Sequence, residues 1–198
     1  MDPEMTGIVL AGGKATRMGG ACDKAFLKID NETIINRQLR ILKQIFKEII
    51  IVTNSTDSYK DTKGVTIISD IIRERGPIGG IYSGLLASHS FYNFVVACDM
   101  PFLNESLIRY MISNMRGYDV IMPKIDGRNQ PLFCVYSKKC VSVIKRLIKE
   151  NRLNVGGIFP EVRSRYIKSG HSKKIDAALN CFVNINTKED HEACLIGQ

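Results

Sequence analysis

The residues best suited to chemistry lie in one glycine-rich segment near the start of the chain. Residues 10–24 read LAGGKATRMGGACDK and contain four glycines together with the cations Lys14, Arg17 and Lys24. Glycines allow backbone N–H groups to approach an anion closely, and lysine and arginine side chains neutralise its charge. The segment predicts a phosphate-binding loop, with an ordinary strand-to-helix loop as the alternative.

Two common phosphate-binding motifs do not fit this segment. Gly7 and Gly12 have the spacing of a Walker A loop, but Gly13 occupies the position that the motif's lysine requires. The segment also contains no G-x-G, so it is not a dinucleotide fingerprint. The phosphate-binding loop is therefore of another kind.

Two aspartates follow apolar runs that are predicted to be strands. Asp99 comes shortly after residues 93–97 and stands before Met100-Pro101, and Asp70 follows residues 65–69. Mg²⁺ prefers one or two carboxylates together with substrate phosphates, which makes Asp99 a candidate metal ligand. A turn or a helix cap is the alternative role for an aspartate at this place.

Two further pairs of residues are candidates for substrate contacts. Gly79 and Gly80 open a predicted helix, so their amides could meet a substrate, although a simple turn is the alternative. A predicted strand over residues 182–185 would place Asn184 and Asn186 on one face, with Asn186 at the carboxyl edge. The amide oxygen of Asn186 could then join a metal or a substrate, and turn or capping duty is the alternative.

These residues would be positioned by strands that alternate with helices. Apolar runs predict strands over residues 6–10, 48–53, 65–69, 93–97, 119–122, 132–136 and 182–185. Apolar spacings of three and four predict helices over residues 33–46 and 104–115, and residues 78–88 and 138–150 are also interpreted as helices. Asn104 is predicted to cap the helix over residues 104–115, and Thr187 is predicted to cap a terminal helix. Such alternation predicts a single α/β domain, with a mostly parallel sheet covered by helices on both faces.

Composition limits what this domain can be. The 198 residues are 44% hydrophobic and carry a net charge of +8, which suits a globular protein with anionic partners. Three scattered histidines and six cysteines without CxxC spacing disfavour a zinc site and a Ser-His-Asp site. Without a long apolar run or a signal peptide, we expect a cytoplasmic protein that contacts no membrane. Residues 1–4 are interpreted as a cloning remnant before a native Met5.

Four segments, taken in order, resemble the molybdenum cofactor guanylyltransferases, a branch of the Rossmann-like nucleotidyltransferases. They are LAGGKATRMGGACDK at 10–24, GPIGGI at 76–81, CDMPFL at 98–103 and NINTKED at 184–190. The resemblance runs from Gly7 to Asp190. It implies a three-layer α/β/α Rossmann-like nucleotidyltransferase fold, with a nucleotide half over about residues 5–103 and an acceptor half over about 104–190 of one domain. The Gly12-Gly13 pair favours guanylyl over cytidylyl transfer.

The resemblance implies where the nucleotide would bind. Leu10, Ala11 and Gly12 match the backbone segment that holds the guanine base, Asp70 matches an aspartate that binds the nucleotide, and Asn54 falls beside a nucleotide-contacting asparagine.

The phosphates, the metal and the acceptor are assigned in the same way. Gly13, Lys14 and Arg17 match the triphosphate loop, Lys24 matches a lysine that grips phosphate, and Asp99 matches the magnesium ligand. The catalytic group implied is Arg17, Lys24 and Asp99. The pterin acceptor is assigned to the following residues: Gly79, Gly80, Gln130, Asn184 and Asn186. Gln130 stands where the family often has a histidine.

The activity implied is transfer of GMP from GTP to a molybdopterin-type cofactor, with release of pyrophosphate and with Mg²⁺ as cofactor. We expect a monomer that binds no nucleic acid and makes transient contacts with other proteins of cofactor biosynthesis. Three alternatives stay open: a related nucleotidyltransferase that uses CTP or another phosphorylated acceptor, a non-catalytic GTP-binding regulator, and a basic nucleic-acid-binding protein.

Overall fold

The computed structural model describes residues 4–11 and 23–196 of the chain. The strands are β1 (Thr6–Leu10), β2 (Lys28–Ile29), β3 (Glu32–Thr33), β4 (Glu48–Val52), β5 (Thr66–Ile68), β6 (Tyr92–Ala97), β7 (Val120–Ile125), β8 (Arg128–Asn129), β9 (Phe133–Ser137) and β10 (Ser164–Lys168). The helices are α1 (Ile34–Ile45), α2 (Gly76–Ala87), α3 (Glu105–Ser113), α4 (Cys140–Lys149), α5 (Ser169–Ile175) and α6 (Lys188–Ile196). Short 3₁₀ helices cover Lys24–Phe26, Thr56–Tyr59, Val155–Glu161 and Asn180–Phe182.

The main sheet is mostly parallel, as predicted. Its strands lie in the order β10-β7-β9-β6-β1-β4-β5, and β8 pairs with β7. In this order β9 runs antiparallel to both of its neighbours, whereas β6, β1, β4 and β5 are mutually parallel. The carboxyl ends of these four strands therefore meet at one edge of the sheet, where ligands bind in open α/β folds.

Apolar cores cover both faces of the sheet because neighbouring residues of a strand point to opposite sides. In β1, Val9 packs in a core with α1 and α3, whereas Ile8 and Leu10 pack in a core with α2 and α4. A Cβ on Gly84 would lie 2.7 Å from Ile8 Cγ2, so α2 can lie this close to β1 only because Gly84 has no side chain. The three-layer α/β/α architecture is confirmed.

Most of the predicted elements are present, with ends that differ by at most three residues. The predicted caps also hold, since Asn104 Oδ1 accepts from Leu107 N and Thr187 Oγ1 accepts from Asp190 N. Elements that the sequence analysis did not predict are the β2–β3 hairpin, β8, β10 and α5. Within the described ranges, no helix is long and apolar enough to cross a membrane.

The predicted strand over residues 182–185 is wrong. A 3₁₀ helix ends at Phe182, and the chain then continues without a strand partner to α6. Ile185 is fully buried against Ile29 and Ile34, outside the sheet. Its apolar side chain is therefore explained by this small separate core, and the same-face placement of Asn184 and Asn186 loses its basis.

Candidate active site

The candidate site begins where β1 and β6 end beside each other. Cys98 N donates to Leu10 O at 3.0 Å, which extends the pairing of the two strands by one residue and holds Asp99 at the sheet edge. Ala11 N donates to Val52 O at 2.8 Å on the other side of β1. The backbone donor of Ala11 is thus already used, which leaves its carbonyl for any contact with a nucleotide.

Three predicted site residues meet at this edge. Lys24 Nζ lies 3.8 Å from Asp99 Oδ2 and donates to Asn186 Oδ1 at 2.8 Å. Lys24 and Asn186 are 162 positions apart in the sequence, so their contact depends on the fold and not on local sequence. The arrangement places a cation, a carboxylate and an amide oxygen together, which suits the binding of phosphate and of a hard metal ion.

The surroundings of Asp99 disfavour the ionised form of its carboxylate. Its side chain is only 22% exposed, and burial raises its pKa above the usual value for aspartate, while Lys24 and the residue's own backbone N–H act in the opposite direction. Burial penalises the anion and Lys24 only partly offsets the penalty. A further cation beside Asp99 would therefore stabilise its ionised form.

Lys24 is held in place by a short capped helix. Asp23 caps the 3₁₀ helix Lys24–Phe26, since its Oδ1 accepts from Ala25 N at 3.1 Å, and its Oδ2 accepts from Tyr59 Oη at 2.7 Å. Tyr59 is fully buried, and its ring lies 4.8 Å from that of Phe26. The start of the 3₁₀ helix Lys24–Phe26 is thus anchored to the 3₁₀ helix Thr56–Tyr59.

Asn186 is positioned by a loop that crosses the sheet edge. Ile185 N donates to Asp99 O at 2.9 Å, so the loop runs directly beside the candidate metal ligand. Asp190 Oδ2 accepts from Asn186 N at 2.8 Å and from Thr187 N at 2.9 Å. These backbone hydrogen bonds lower the pKa of Asp190, which stays ionised and fixes the loop at the start of α6.

A second group of predicted residues lies beyond β1. Asn54 Nδ2 donates to Asp70 Oδ2 at 2.9 Å, and Asp70 N donates to Asn54 Oδ1 at 3.3 Å. A Cβ on Gly80 would lie 3.2 Å from Leu10 Cδ2 and 3.7 Å from Asp70 Oδ1. Asp70 Oδ1 is buried and has no hydrogen-bond partner among the residues that the structure describes. It is thus an acceptor available to a ligand's N–H or O–H.

The remaining predicted residues fall in different places. Gln130 lies just before β9 at the same sheet edge, where its backbone bonds to Pro123 O at 3.0 Å. Gly79 lies in α2 against Arg75, next to the Asp70 group, and Asn184 donates to Phe182 O at 3.2 Å within its own loop. The assignment of these three residues to the acceptor stays a prediction.

The loop residues of the prediction are outside the described ranges. They are Gly12, Gly13, Lys14 and Arg17, and the thiol of Cys22 also falls there. Their proposed contacts with phosphate stay predictions.

Two polar residues that the sequence analysis missed support the site. Ser83 is fully buried in α2, accepts from Ile71 N at 2.9 Å and so ties the segment after Asp70 to the helix. Gln38 is fully buried in α1 and contacts the backbone on both sides of Asp99. A glutamine between Ile35 and Leu39, on the apolar side of a helix, was the available signal.

Comparison with known proteins gives a consistent result. Residues 7–159 match the family model described as a MobA-like NTP transferase domain. The chain is 35% identical to the molybdenum cofactor guanylyltransferase of Desulfosudis oleivorans, over 95% of this chain and 93% of the relative. It is also 35% identical to a protein of Pelotomaculum thermopropionicum named a probable molybdenum cofactor guanylyltransferase, over 94% of this chain and 90% of that one.

A solved structure supports the fold. The molybdopterin-guanine dinucleotide biosynthesis protein A of Archaeoglobus fulgidus superposes with a TM-score of 0.83 at 22% identity, over 96% of both chains. At this identity the similarity concerns the fold alone, whereas the sequence relatives and the domain match establish the family. The chain belongs to the molybdenum cofactor guanylyltransferase family and contains its MobA-like NTP transferase domain.

Proposed function

We propose that this protein transfers GMP from GTP to the terminal phosphate of a molybdopterin-type cofactor and releases pyrophosphate. The observation that carries the proposal is the meeting of Lys24, Asp99 and Asn186 at the carboxyl edge of the sheet. The names of the relatives, molybdenum cofactor guanylyltransferases, support the choice of substrates.

The reaction does not need a protein base. A phosphate monoester has a second pKa near 6, so the attacking oxygen of the acceptor is already anionic at pH 7. Burial raises the pKa of the neighbouring Cys98 thiol, so that it stays protonated and is unsuited to act as a nucleophile. The new bond forms between the acceptor oxygen and the α-phosphorus of GTP, while the bond from that phosphorus to the pyrophosphate oxygen breaks.

The obstacle is then electrostatic, because one anion must approach another. In this proposal Lys24 contacts the phosphates, and Lys14 and Arg17 supply further positive charge to the departing pyrophosphate. Such positioning and charge neutralisation account for most of the catalysis in phosphoryl transfer. The net charge of +8 also favours the approach of two anionic substrates.

The residues present fit a Mg²⁺ ion bound together with the nucleotide. Asp99 would hold the ion and Asn186 Oδ1 would offer a second oxygen, while burial raises the pKa of Asp99 and Lys24 offsets this only in part. In the described part of the chain, no three His, Cys, Asp or Glu side chains cluster to hold a metal by themselves. In this proposal, phosphate oxygens of the nucleotide complete the site, as Mg²⁺ prefers. When bound, Mg²⁺ would neutralise charge on the phosphates.

The Asp70 group supports nucleoside binding on the other side of β1. Asp70 Oδ1 is a buried acceptor without a described partner, next to Gly80 and Leu10. Guanine and ribose both present N–H or O–H donors that could satisfy it. Leaving a buried acceptor unsatisfied costs about 1–3 kcal/mol, and a bound nucleoside would recover part of this cost.

Calorimetric titration with GTP, CTP and ATP, each with and without Mg²⁺, tests the proposal. We expect selective binding of GTP, tighter with Mg²⁺, and pyrophosphate release once the reduced pterin cofactor is added. Asp70→Asn should weaken GTP binding, whereas Asp61→Asn, the same change at an exposed aspartate, should not. Preference for CTP would indicate cytidylyl transfer, and GTP binding without pyrophosphate release would indicate a non-catalytic protein.

A further inference from the structure

One fully buried glutamine contacts the turn that carries Asp99. Gln38 lies in the middle of α1, and its Nε2 donates to Ala97 O at 2.8 Å and to Met100 O at 2.8 Å. Both hydrogens of the amide are therefore used, and both go to backbone carbonyls. The two acceptors also fix the orientation of the amide, because a flipped amide would place its oxygen against two carbonyl oxygens.

The two carbonyls belong to the first and the last residue of a four-residue turn. Asp99 is the third residue of this turn, directly after β6. The turn's own hydrogen bond, from Met100 N to Ala97 O, is long at 3.4 Å. The side-chain amide of Gln38 thus bridges the two ends of the turn more closely than the backbone does.

Other elements fix the middle of the same turn. Cys98 N donates to Leu10 O at 3.0 Å and Asp99 O accepts from Ile185 N at 2.9 Å. The turn is therefore held from β1, from the loop before α6 and, through Gln38, from α1. With these contacts the backbone beside Asp99 has little freedom to move, and they set the position from which its side chain extends into the site.

The amide of Gln38 stabilises the fold less than its two hydrogen bonds alone would. Gln38 Oε1 is buried and has no hydrogen-bond partner among the described residues. A buried acceptor without a partner opposes folding, which offsets part of what the two donated hydrogen bonds contribute. The amide is explained better by what its two N–H groups hold in place.

We propose that Gln38 is a positioning residue for the divalent cation: it fixes the Ala97–Met100 turn so that the Asp99 carboxylate meets the ion bound with the nucleotide. This inference rests on the proposed function, since that function supplies the ion. Residues that orient a metal ligand typically change metal affinity by roughly 10–100-fold when they are replaced. We expect an effect of that size on loss of the Gln38 amide.

The test is a titration with Mn²⁺ in the presence of GTP, followed by the electron paramagnetic resonance signal of free Mn²⁺. Gln38→Met keeps the length of the side chain and removes both donors. Gln44→Met makes the same change at an exposed position of the same helix and is the matched control. Gln38→Asn, which keeps the amide but reaches at most one carbonyl, serves if Gln38→Met does not fold. Thermal unfolding is recorded for every variant.

We expect Gln38→Met to raise the half-saturating Mn²⁺ concentration about tenfold or more and to leave metal-free GTP binding unchanged. The control Gln44→Met should behave like the parent. Unchanged Mn²⁺ affinity in a folded Gln38 variant, with only a lower melting temperature, would overturn the proposal and make the residue structural. A parent protein that binds Mn²⁺ no better than Asp99→Asn would overturn both this inference and the proposed metal site. That result needs no Gln38 variant, so the two failures are distinguishable.

Discussion

Two carboxylates at opposite ends of the parallel strands differ in how completely the protein satisfies them. Glu48 begins β4 at the amino edge, where it accepts from Thr6 Oγ1, from His89 N at 3.2 Å and contacts His89 Nδ1 at 2.7 Å. Burial raises the pKa of Glu48, but the hydrogen bonds from Thr6 and His89 outweigh it and leave the pKa below its usual value. The ionised form is stabilised by the fold.

Asp99 at the carboxyl edge shows the reverse balance. Its contact with Lys24 is longer, at 3.8 Å, and burial leaves its pKa raised. Lys24 moreover donates to Asn186 at 2.8 Å, so its charge is shared. The fold thus stabilises the carboxylate anion at the amino edge through hydrogen bonds, whereas the anion at the carboxyl edge would gain from a cation bound with the ligand. Such sites commonly trade stability for function.

The largest effect is expected for Asp99→Asn. Turnover should fall by at least about 10²–10³-fold, the typical loss on removal of one electrostatic stabiliser. The melting temperature at pH 7 should not fall, because a raised pKa means that the folded protein disfavours the carboxylate anion. Near-parent pyrophosphate release would contradict the metal assignment.

Because the folded protein disfavours the Asp99 anion, ionisation of Asp99 should also make stability depend on pH. The folded protein holds the proton of Asp99 more tightly than the unfolded chain, so this group lowers stability as pH rises above its ordinary value of about 3.9. Melting curves of the parent and of Asp99→Asn should therefore agree best at acid pH and diverge in favour of the variant towards neutrality.

Lys24→Met should have the next largest effect. Loss of its charge should lower turnover by roughly 10²-fold and weaken GTP binding. The melting temperature should change little, because the ion pair with Asp99 is long at 3.8 Å and contributes little stability. Lys28→Met, four residues away and exposed, is the control and should behave like the parent. A large drop in melting temperature with unchanged kinetics would make Lys24 a structural residue.

Glu48→Gln should show the opposite pattern from Asp99→Asn. Weakening its hydrogen bonds should cost about 1 kcal/mol of stability, or roughly 2–4 °C in a chain of this size, with kcat unchanged. The lowered pKa of Glu48 makes its contribution present above the ordinary value of about 4.3 and lost as pH falls through the folded value. Melting temperatures of parent and variant should thus converge in acid. An equal effect on kcat would show that the two edges are coupled.

Local patterns in the sequence predict the parallel half of the fold well. The run TGIVL and the spacing of Ile35, Leu39 and Leu42 each predict an element that the structure contains. Residues 182–185 were assigned wrongly because Ile185 is buried in a small core with Ile29 and Ile34, and periodicity does not reveal which core a residue enters. The edge strand β10, with only Ile167 fully buried, has too weak an apolar pattern to be predicted.

The sequence indicates which residues belong to the site but not which of them contact one another. Lys24, Asp99 and Asn186 were all singled out, but nothing local relates positions 24 and 186, which the fold brings to 2.8 Å. Gln38 was missed because a single polar residue on an apolar helix face does not indicate its partner. Only the tertiary structure shows that the partner is the turn at Asp99.

The smallest effect is expected for His89→Ala, which tests how the amino edge satisfies its carboxylate. The His89 side chain is 92% exposed, so its contact with Glu48 is screened by solvent and should contribute about 1 °C or less to the melting temperature. The backbone donor of His89 and the hydroxyl of Thr6 remain in this variant, and Thr6 is fully buried. If His89→Ala costs as much as Glu48→Gln, the exposed imidazole and not the buried hydroxyl stabilises Glu48. A small effect, measured by thermal unfolding beside the Glu48→Gln variant and the double variant, would place the stabilisation in the buried hydrogen bonds of Glu48.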